Sequence, residues 1–273
     1  HIFNKIIASA DKNIFVYNME SPGEKPKVIA GAHPDKISSI VWLNNQIVSS
    51  CLDNKIRVFN PTTLKLETSF TLPSKPLCMS VNETKDLICL GCENGKVYLL
   101  KTNMVGAYSE PVELCKVSNA NITCIDLSVD ASKIICGTSD GNLIIVEPNN
   151  SCNKPITILA HASGIGAVKF NPKENLVASA GYDSYVKLWN INSPDEPPVI
   201  FEEHDRWVLA LAFSPDGSQL VSCGKDKSVR TYTIQPSKMV NYLETKVNRN
   251  FTNNEWNYFI GSDIPYELTI SGR

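Results

Sequence analysis

The sequence predicts an all-β protein built from one repeated unit of short strands, and three observations support this prediction. An apolar run followed by small or polar residues recurs six times, and the copies end in Asp11, Asp53, Asn94, Asp140, Asp183 and Asp226. These positions lie 42, 41, 46, 43 and 43 residues apart, and a large apolar residue follows six positions after each of them. Almost nothing before residue 235 has the spacing of an amphipathic helix, so we expect the repeat to consist of strands.

Each copy of the repeat has the pattern of two strands joined by a tight turn. Residues 185–188 alternate with period two, as a half-buried strand requires. The turns carry Asp-Asn, Asn-Gly and Asp-Gly, which suit hairpins, at 53–54, 94–95 and 140–141. Two further strands precede the hairpin, as at 155–161 and 166–172. Four short strands in roughly 40–45 residues are typical of one blade of a β-propeller.

The strand count predicts about five and a half four-stranded antiparallel blades, because only two strands of the first copy follow His1. A closed propeller leaves no bare sheet edge, and an exposed edge invites aggregation. We therefore expect upstream residues to complete the ring, to seven blades in the parent protein. The chain begins without an initiator Met or a secretion signal, so we also expect it to be a fragment or a processed product.

Composition and charge narrow the classes of partner. The chain has 273 residues, of which 42% are hydrophobic, enough for a large core. Its 26 basic and 28 acidic residues give a net charge of −2, so it lacks the positive field that drives nucleic-acid binding. No apolar run approaches the roughly 18 residues that would span a membrane. Most of the nine cysteines lie in apolar runs, which predicts buried free thiols and a cytoplasmic location.

The segment from Ala160 to Asn190 closely resembles a full WD repeat, with Ala-His at 160–161, Phe-Asn-Pro at 170–172 and Leu-Trp-Asn at 188–190. The resemblance covers about 230 residues, from the first hairpin to Tyr232. In that family, a His, a Ser or Thr, an Asp and a Trp form a structural hydrogen-bond network within a blade. The resemblance implies one full network, His161, Ser179, Asp183 and Trp189. It also implies two weaker networks, His33, Ser49 and Asp53 with Phe59, and His204, Ser222 and Asp226 with Tyr232.

Two copies of the repeat depart from this pattern. The copies that end at Leu100 and Val146 lack both the His and the aromatic residue, so they should depend on packing alone.

A His-Asp-Ser trio also suggests a catalytic triad, but a trio repeated three times at blade spacing favours a structural role. Cys89 and Cys92 have no second pair of metal ligands, and the Gly164-Ile-Gly166 segment lacks the third glycine of a dinucleotide motif. We therefore predict no catalytic residue, no metal site and no cofactor.

The chain divides into a propeller over residues 1–234 and a C-terminal helical extension over residues 235–273. Met239, Leu243 and Val247 follow helical spacing, and Thr252 with Glu255 has the pattern of a capping box. Phe251 and Trp256 occupy the positions of a hydrophobic staple, and we expect the extension to pack on the propeller. Residues 247–267 resemble the closing segment of some bacterial WD-repeat proteins. In those proteins the propeller often follows a signalling NTPase or a caspase-like domain.

These features predict a non-catalytic protein-interaction scaffold or sensor, the C-terminal part of a larger bacterial protein. The alternative is a propeller hydrolase with a site at the central channel, which would need convergent His and carboxylates there. The loop of His161 and the turn of Asp183 must share one face, because their side chains meet. On that face the sequence places the candidate binding residues Asp205, Arg206, Trp207, Tyr182 and Lys225, and we expect a protein or peptide ligand there. Packing of Trp207 against a neighbouring blade remains an equal alternative, and the oligomeric state is not predicted.

Overall fold

The computed structural model describes residues 5–103, 106–148, 155–234, 250, 252–254 and 256. Their strands form six antiparallel sheets, numbered here in chain order. Sheet 1 contains β1 (Lys5–Ala10), β2 (Asn13–Asn18) and β3 (Lys27–Ile29). Sheet 2 contains β4 (Ile37–Leu43), β5 (Gln46–Cys51), β6 (Lys55–Phe59) and β7 (Leu66–Thr71). Sheet 3 contains β8 (Pro76–Asn82), β9 (Leu87–Cys92), β10 (Lys96–Lys101) and β11 (Val112–Lys116), with a 3-10 turn at Glu83–Lys85.

The remaining three sheets repeat the same order of strands. Sheet 4 contains β12 (Ile122–Leu127), β13 (Ile134–Thr138), β14 (Asn142–Val146) and β15 (Ile156–Leu159). Sheet 5 contains β16 (Ile165–Phe170), β17 (Leu176–Gly181), β18 (Val186–Asn190) and β19 (Val199–Phe201). Sheet 6 contains β20 (Val208–Phe213), β21 (Gln219–Gly224) and β22 (Val229–Thr233). Strands that follow one another in the chain are neighbours in every sheet, so each sheet is a simple meander.

The core of the protein lies between consecutive sheets. Alternating apolar side chains on each strand give every sheet two apolar faces. Wherever two sheets are neighbours, their facing apolar sides pack together. One buried cluster fills each of the five junctions and draws members from both sheets, such as Ile14 and Ile47, Val48 and Leu90, Ile125 and Val97, Leu143 and Val168, and Val186 and Leu211. The first strands of sheets 2 to 6 pack side by side in order, which places them around a central axis. The predicted all-β propeller architecture is confirmed.

The two terminal sheets differ from the four between them. Sheet 1 has three strands, because its outer strand β3 comes from residues that the repeat pattern assigned to the second copy. Sheet 6 also has three described strands. Their outward faces are open, with Ile6, Tyr17 and Val28 exposed on sheet 1 and Val229 exposed on sheet 6. In the described residues, no strand of sheet 1 packs on sheet 6 to the extent seen between consecutive sheets. Completion of the ring by upstream residues stays a prediction.

Among the cysteines that the structure describes, seven are free thiols, and five of these are buried: Cys51, Cys89, Cys92, Cys124 and Cys136. Burial raises the pKa of Cys89 well above its usual value, and that of Cys124 to about 12, so these thiols behave as small apolar side chains. Cys115 differs from the predicted free thiol because it is disulfide-bonded. Among the described residues, no helix has the length and apolar character needed to cross a membrane.

Most of the predicted C-terminal extension lies outside the described residues, including Met239, Leu243, Val247, Phe251 and Glu255. Within the described part, Asn253, Asn254 and Trp256 are helical. The backbone N–H of Trp256 donates to the carbonyl oxygen of Thr252 at 2.9 Å, and the Trp256 side chain is buried. The boundary at residue 235 and the docking of an extension therefore stay predictions.

Candidate protein-binding face

Sheet 5 contains a continuous chain of hydrogen bonds from Trp189 to Asp183. The indole Nε1 of Trp189 donates to Oγ of Ser179 at 2.9 Å, and the Ser179 hydroxyl lies 2.8 Å from Nε2 of His161. Nδ1 of His161 lies 2.8 Å from Oδ1 of Asp183, which can only accept, so we assign the ring proton to Nδ1. Asp183 also accepts from the backbone N–H of Ala162, so the carboxylate ties the loop before β16 to the turn after β17.

Gly181 makes the close contact between His161 and Asp183 possible. A Cβ atom at position 181 would overlap both Oδ1 of Asp183 and Nδ1 of His161. Gly224 has the same relation to His204 and Asp226, since a Cβ there would lie 3.0 Å from atoms of both side chains. A residue without a side chain is therefore needed two positions before the turn Asp wherever the His and the Asp bond directly.

Sheet 2 has Cys51 at this position, and its network differs from the predicted one. His33 does not bond to Asp53; the guanidinium of Arg57 lies between them, donating to Nδ1 of His33 at 2.6 Å and to Oδ2 of Asp53 at 2.7 Å. Nδ1 therefore accepts, and Nε2 of His33 carries the proton and donates to Ser49 Oγ at 2.7 Å. Burial first, and then the charge of Arg57, lower the pKa of His33 to about 4. Phe59 contacts the edge of the imidazole, with ring centroids 6.2 Å apart.

Sheet 6 repeats the sheet 5 arrangement with Tyr232 in place of the Trp. His204 Nδ1 donates to Asp226 at 2.9 Å, its Nε2 lies 2.7 Å from Ser222 Oγ, and the Tyr232 hydroxyl lies 3.4 Å from the same oxygen. Burial alone would raise the pKa of Asp226, but hydrogen bonds from Ser228 and His204 hold it well below the usual range. Asp226 is therefore an ionised carboxylate with its acceptor sites occupied.

Sheets 3 and 4 stabilise the same turn without an imidazole. Leu72 and Ser118 occupy the positions that correspond to the His; Leu72 is buried, and Oγ of Ser118 accepts from the backbone N–H of Ala120 at 2.9 Å. In sheet 4 the hydroxyl of Thr138 donates to the carboxylate of Asp140, which keeps that turn closed. In sheet 3 the turn residue Asn94 accepts from the backbone N–H of Lys96 at 3.2 Å. Both turns therefore have hydrogen bonds of their own, and the expectation that these two blades depend on packing alone stays a prediction.

Possible metal ligands come together at one of these networks. Nitrogen, sulfur and oxygen atoms of His33, Cys51 and Asp53 lie within 4.8 Å of one another. Arg57 already donates to His33 and Asp53, and a guanidinium cannot give up its charge at physiological pH. The cluster is therefore an arginine-centred hydrogen-bond network, and its chemistry does not favour a cation.

The turns and loops of sheets 2 to 6 meet at one end of the structure, which we call the turn face. There the backbone N–H of the residue before each turn Asp or Asn donates to the carbonyl of the residue just before the first strand of the sheet. The pairs are Leu52 with Lys36, Glu93 with Lys75, Ser139 with Asn121, Tyr182 with Gly164 and Lys225 with Trp207, at 2.8–3.1 Å. Because the first strands surround the central axis, these ten residues form the mouth of the channel, and we call them the mouth ring.

Tyr182, Trp207 and Lys225 form an aromatic site within the mouth ring. The rings of Tyr182 and Trp207 stack across the junction of sheets 5 and 6, with centroids 4.7 Å apart. Nζ of Lys225 lies 4.3 Å from the centroid of the Trp207 ring, a cation–π contact. Trp207 nevertheless remains 46% exposed. Trp207 therefore packs against the neighbouring sheet, which was one alternative. It also keeps the exposed surface that the other alternative, ligand binding, requires.

Two glycines make room for this aromatic site, and the sequence analysis gave them no role. A Cβ at Gly164 would lie 3.1 Å from the Tyr182 ring, and a Cβ at Gly166 would lie 3.0 Å from it. The Gly164-Ile-Gly166 segment therefore lets the Tyr182 ring lie close against the start of β16. Two glycines beside an aromatic turn residue in the adjacent hairpin are the sequence signal that could have identified this arrangement.

The other two candidate residues lie beside the aromatic site. Arg206 and Asp205 are both exposed in the loop between His204 and Trp207. The backbone N–H of Asp205 lies 3.4 Å from Asp226, which holds this loop against the turn of sheet 6. Within the described part of the chain, the guanidinium of Arg206 and the ammonium of Lys225 have no hydrogen-bond or ion-pair partner. All five candidate residues therefore come together at one place on the turn face.

Comparison with known families agrees with the repeated networks of sheets 5 and 6. Residues 153–190 and 195–233 match the model of the WD40 family, described as WD domain, G-beta repeat. The chain carries WD40 repeats. Both matched segments contain a His, a Ser, a turn Asp and an aromatic residue in the bonded arrangement of sheets 5 and 6, and sheets 2 to 4 have the same meander order of strands with altered side chains.

Relatives among curated proteins also carry this repeat. The WD repeat-containing protein 91 homolog of Dictyostelium discoideum is 22% identical over 93% of this chain and 34% of its own length. The DDB1- and CUL4-associated factor 13 of the same organism is 35% identical over 29% of this chain and 18% of its own length. The actin-interacting protein 1 of Drosophila melanogaster is 30% identical over 40% of this chain and 18% of its own length. The chain spans about a third or less of the length of these relatives, and all three are eukaryotic.

A buried charged group between sheets 3, 4 and 5 was not singled out from the sequence. Asp126 on β12 accepts from Ser80 on β8 at 2.7 Å and from the ammonium of Lys169 on β16 at 2.8 Å. Its second oxygen accepts from the backbone N–H of Phe170 at 2.9 Å. The Asp126 carboxylate is buried and its charge is compensated, so this contact joins three consecutive sheets.

Proposed function

We propose that this chain is a non-catalytic scaffold whose WD40 repeats bind a protein or peptide on the turn face. The observation that carries the proposal is Trp207, which is fixed by Tyr182 and Lys225 and still 46% exposed. A rigid aromatic side chain with open surface loses little conformational entropy when a ligand covers it. Trp, Tyr and Arg are the residue types that most often dominate the energy of protein interfaces.

The chemistry of the described polar clusters supports binding over catalysis. The imidazoles of His161 and His204 are bonded on both nitrogens inside their own turns, and that of His33 is bonded to Arg57 and Ser49. A general base must instead be within reach of a substrate proton. Asp126, buried between sheets 3, 4 and 5, is bonded to Ser80, Lys169 and Phe170, and no contact of the described residues favours the alternative of a channel hydrolase.

Two relatives support the proposal through their names, since one is called a DDB1- and CUL4-associated factor and another an actin-interacting protein. Membership of a larger bacterial signalling protein rests only on residues 247–267, and the eukaryotic relatives do not support it. A cytoplasmic location is also part of the proposal. Seven free thiols favour a reducing compartment, whereas the disulfide at Cys115 weighs against it.

The proposal is tested with the Arg206→Glu, Trp207→Ala double variant. The tagged full chain and this variant are purified from the cells that produce the protein, and the copurified proteins are compared by quantitative mass spectrometry. We expect at least one stoichiometric partner of the unchanged chain to be lost from the double variant. Near-UV circular dichroism must first establish that the variant is folded.

A matched control carries the same kinds of change at the opposite end of the sheets. Lys173→Glu reverses an exposed charge after β16, and Val129→Ala truncates an exposed side chain after β12. This control should keep every partner. A folded Arg206→Glu, Trp207→Ala protein that retains all partners of the unchanged chain overturns the proposed function.

A further inference from the structure

The mouth ring contains more basic than acidic residues, although the whole chain carries a net charge of −2. Three of its ten residues are basic, namely Lys36, Lys75 and Lys225, and one is acidic, Glu93. Nζ of Lys75 lies 3.6 Å from Glu93, so that pair compensates itself. Within the described residues, the ammonium groups of Lys36 and Lys225 have no ion-pair partner. The mouth therefore has excess positive charge.

The acidic residues of the neighbouring turns keep their charge, but their oxygens accept hydrogen bonds within their own turns, and in the described residues none of them forms an ion pair with Lys36 or Lys225. Asp53 is bonded to Arg57 and to the backbone of Lys55, and Asp183 to His161 and the backbone of Ala162. Asp226 accepts from His204 and from the backbone N–H of Ser228. These carboxylates are held in the hairpins, whereas Lys225 and the adjacent Arg206 are exposed.

Trp207 is adjacent to both of these cations and is exposed. Lys225 is placed over the indole ring at 4.3 Å, and Arg206 directly precedes Trp207 in the loop. An anionic group that binds Lys225 would therefore be next to an apolar surface formed by Trp207 and Tyr182. This arrangement suits a ligand in which carboxylates flank an apolar side chain. The carboxylates would pair with the two cations, and the apolar side chain would contact the aromatic rings.

We propose that the mouth ring binds an acidic peptide segment, in which Asp or Glu side chains pair with Lys225 and Arg206 and an adjacent apolar side chain covers Trp207. This inference rests on the proposed function and names the chemistry of its partner. The exposed carboxylate of Asp205 is the opposing feature, because it lies beside Arg206 and repels an acidic ligand. Asp205 therefore gives the test a variant that should act in the opposite direction.

The experiment measures fluorescence anisotropy of a labelled, acetylated ten-residue peptide in which Phe lies between two pairs of Glu. The same peptide with Gln in place of Glu is the neutral probe, and both are titrated with the full chain. We expect the Glu peptide to bind about tenfold more tightly than the Gln peptide at low ionic strength, with the difference shrinking as salt is added. Equal affinity for the two peptides, or no binding of either, overturns the inference.

Variants then locate the site. Lys225→Glu should weaken binding of the Glu peptide by about tenfold, and Asp205→Asn should strengthen it by about two- to threefold. Lys173→Glu makes the same charge reversal at the opposite end of the sheets, and should change the affinity by less than about twofold. Loss of affinity in Lys173→Glu equal to that in Lys225→Glu would mean that net charge alone drives binding, which contradicts a site at the mouth ring.

A single-stranded nucleic acid could use the same aromatic rings and cations, so a ten-nucleotide oligothymidine is titrated in parallel. If the oligonucleotide binds more tightly than the Glu peptide and depends on Lys225, the inference is wrong. Failure of the peptide is also distinct from failure of the proposed function. If cellular partners depend on Arg206 and Trp207 while the acidic peptide does not bind, the scaffold proposal stands and only its partner chemistry is wrong.

Discussion

The guanidinium of Arg57 donates to Nδ1 of His33 at 2.6 Å, and this contact reverses the tautomer found in the equivalent residue of sheet 5. His161 carries its proton on Nδ1 because the carboxylate of Asp183 can only accept. His33 must carry its proton on Nε2, because Arg57 can only donate. Two histidines at equivalent positions of the same repeat therefore have opposite proton arrangements, set by the group that bonds to Nδ1.

The tautomers can be observed directly. We expect long-range ¹H–¹⁵N spectra of the full chain at neutral pH to show His33 protonated on Nε2 and His161 protonated on Nδ1. Arg57→Met removes the donor to Nδ1 of His33 and should let the proton move to that nitrogen, while the His161 pattern stays unchanged. The same tautomer in both residues of the unchanged chain would contradict the assignment.

The titration of His33 follows from the same contact. We expect a pKa of about 4, because burial and the nearby Arg57 charge oppose a second ring proton. An unfolded His titrates near 6.5, so its folded pKa is depressed. The contribution of neutral His33 to the free energy of unfolding should therefore be complete above pH 6.5 and should decline as the pH falls from 6.5 towards 4. In Arg57→Met the His33 pKa should move up towards 6.5, and an unchanged pKa in that variant would show that Arg57 has no effect.

Asp183→Ala tests the stabilising role of the full network in sheet 5. The change leaves the buried Nδ1–H of His161 without an acceptor, so we expect a loss of about 1–3 kcal/mol in the free energy of unfolding. Asn94→Ala at the equivalent turn of sheet 3 should cost less, because Leu72 replaces the His there. Both are measured by urea denaturation. Equal losses in the two variants would count against the network.

The sheets could be predicted from the sequence because their signal is repeated. Six turn residues at nearly constant spacing, each followed by an apolar residue six positions later, indicate the hairpins without any knowledge of packing. The side-chain network of sheet 5 follows from resemblance of residues 160–190 to a WD repeat, and the structure brings those four residues together. The candidate binding residues could be placed on one face because His161 and Asp183 must meet.

The network of sheet 2 could not be predicted from the same pattern. His33, Ser49 and Asp53 match the positions of the complete network, yet His33 and Asp53 do not bond. The reason lies at Cys51, where sheets 5 and 6 have glycine. A Cβ at Gly181 would overlap both bonding partners, so any larger residue must separate them. The substitution is visible in the sequence, but its consequence depends on a contact that only the three-dimensional arrangement reveals.

Gly181→Ala tests this explanation. The added methyl group would collide with Nδ1 of His161 and Oδ1 of Asp183, so we expect a loss of about 1–3 kcal/mol in the free energy of unfolding. The His161 signal should also lose its Nδ1–H pattern in the long-range ¹H–¹⁵N spectrum. Gly23→Ala is the matched control, because a Cβ there meets nothing within 4 Å. If Gly181→Ala is no less stable than Gly23→Ala, the small residue is not what allows the bond.

The last prediction concerns Asp126, whose buried carboxylate joins sheets 3, 4 and 5. Asp126→Ala removes the acceptor of the buried Ser80 hydroxyl and of the Phe170 N–H, so we expect a loss of about 1–3 kcal/mol in the free energy of unfolding. Lys169→Met should cost less, about 0.5–1 kcal/mol, because the Lys169 side chain is 42% exposed and water screens its charge.

The double variant Asp126→Ala, Lys169→Met completes a thermodynamic cycle that isolates the pairwise contribution from the packing of each side chain. We expect the double variant to lose less stability than the sum of the two single variants, since removing either partner already breaks the ion pair. Lys173→Met, an exposed site just beyond β16, should leave stability unchanged. If the two single losses simply add, Asp126 and Lys169 do not stabilise each other, and their ion pair has no role in holding sheets 4 and 5 together.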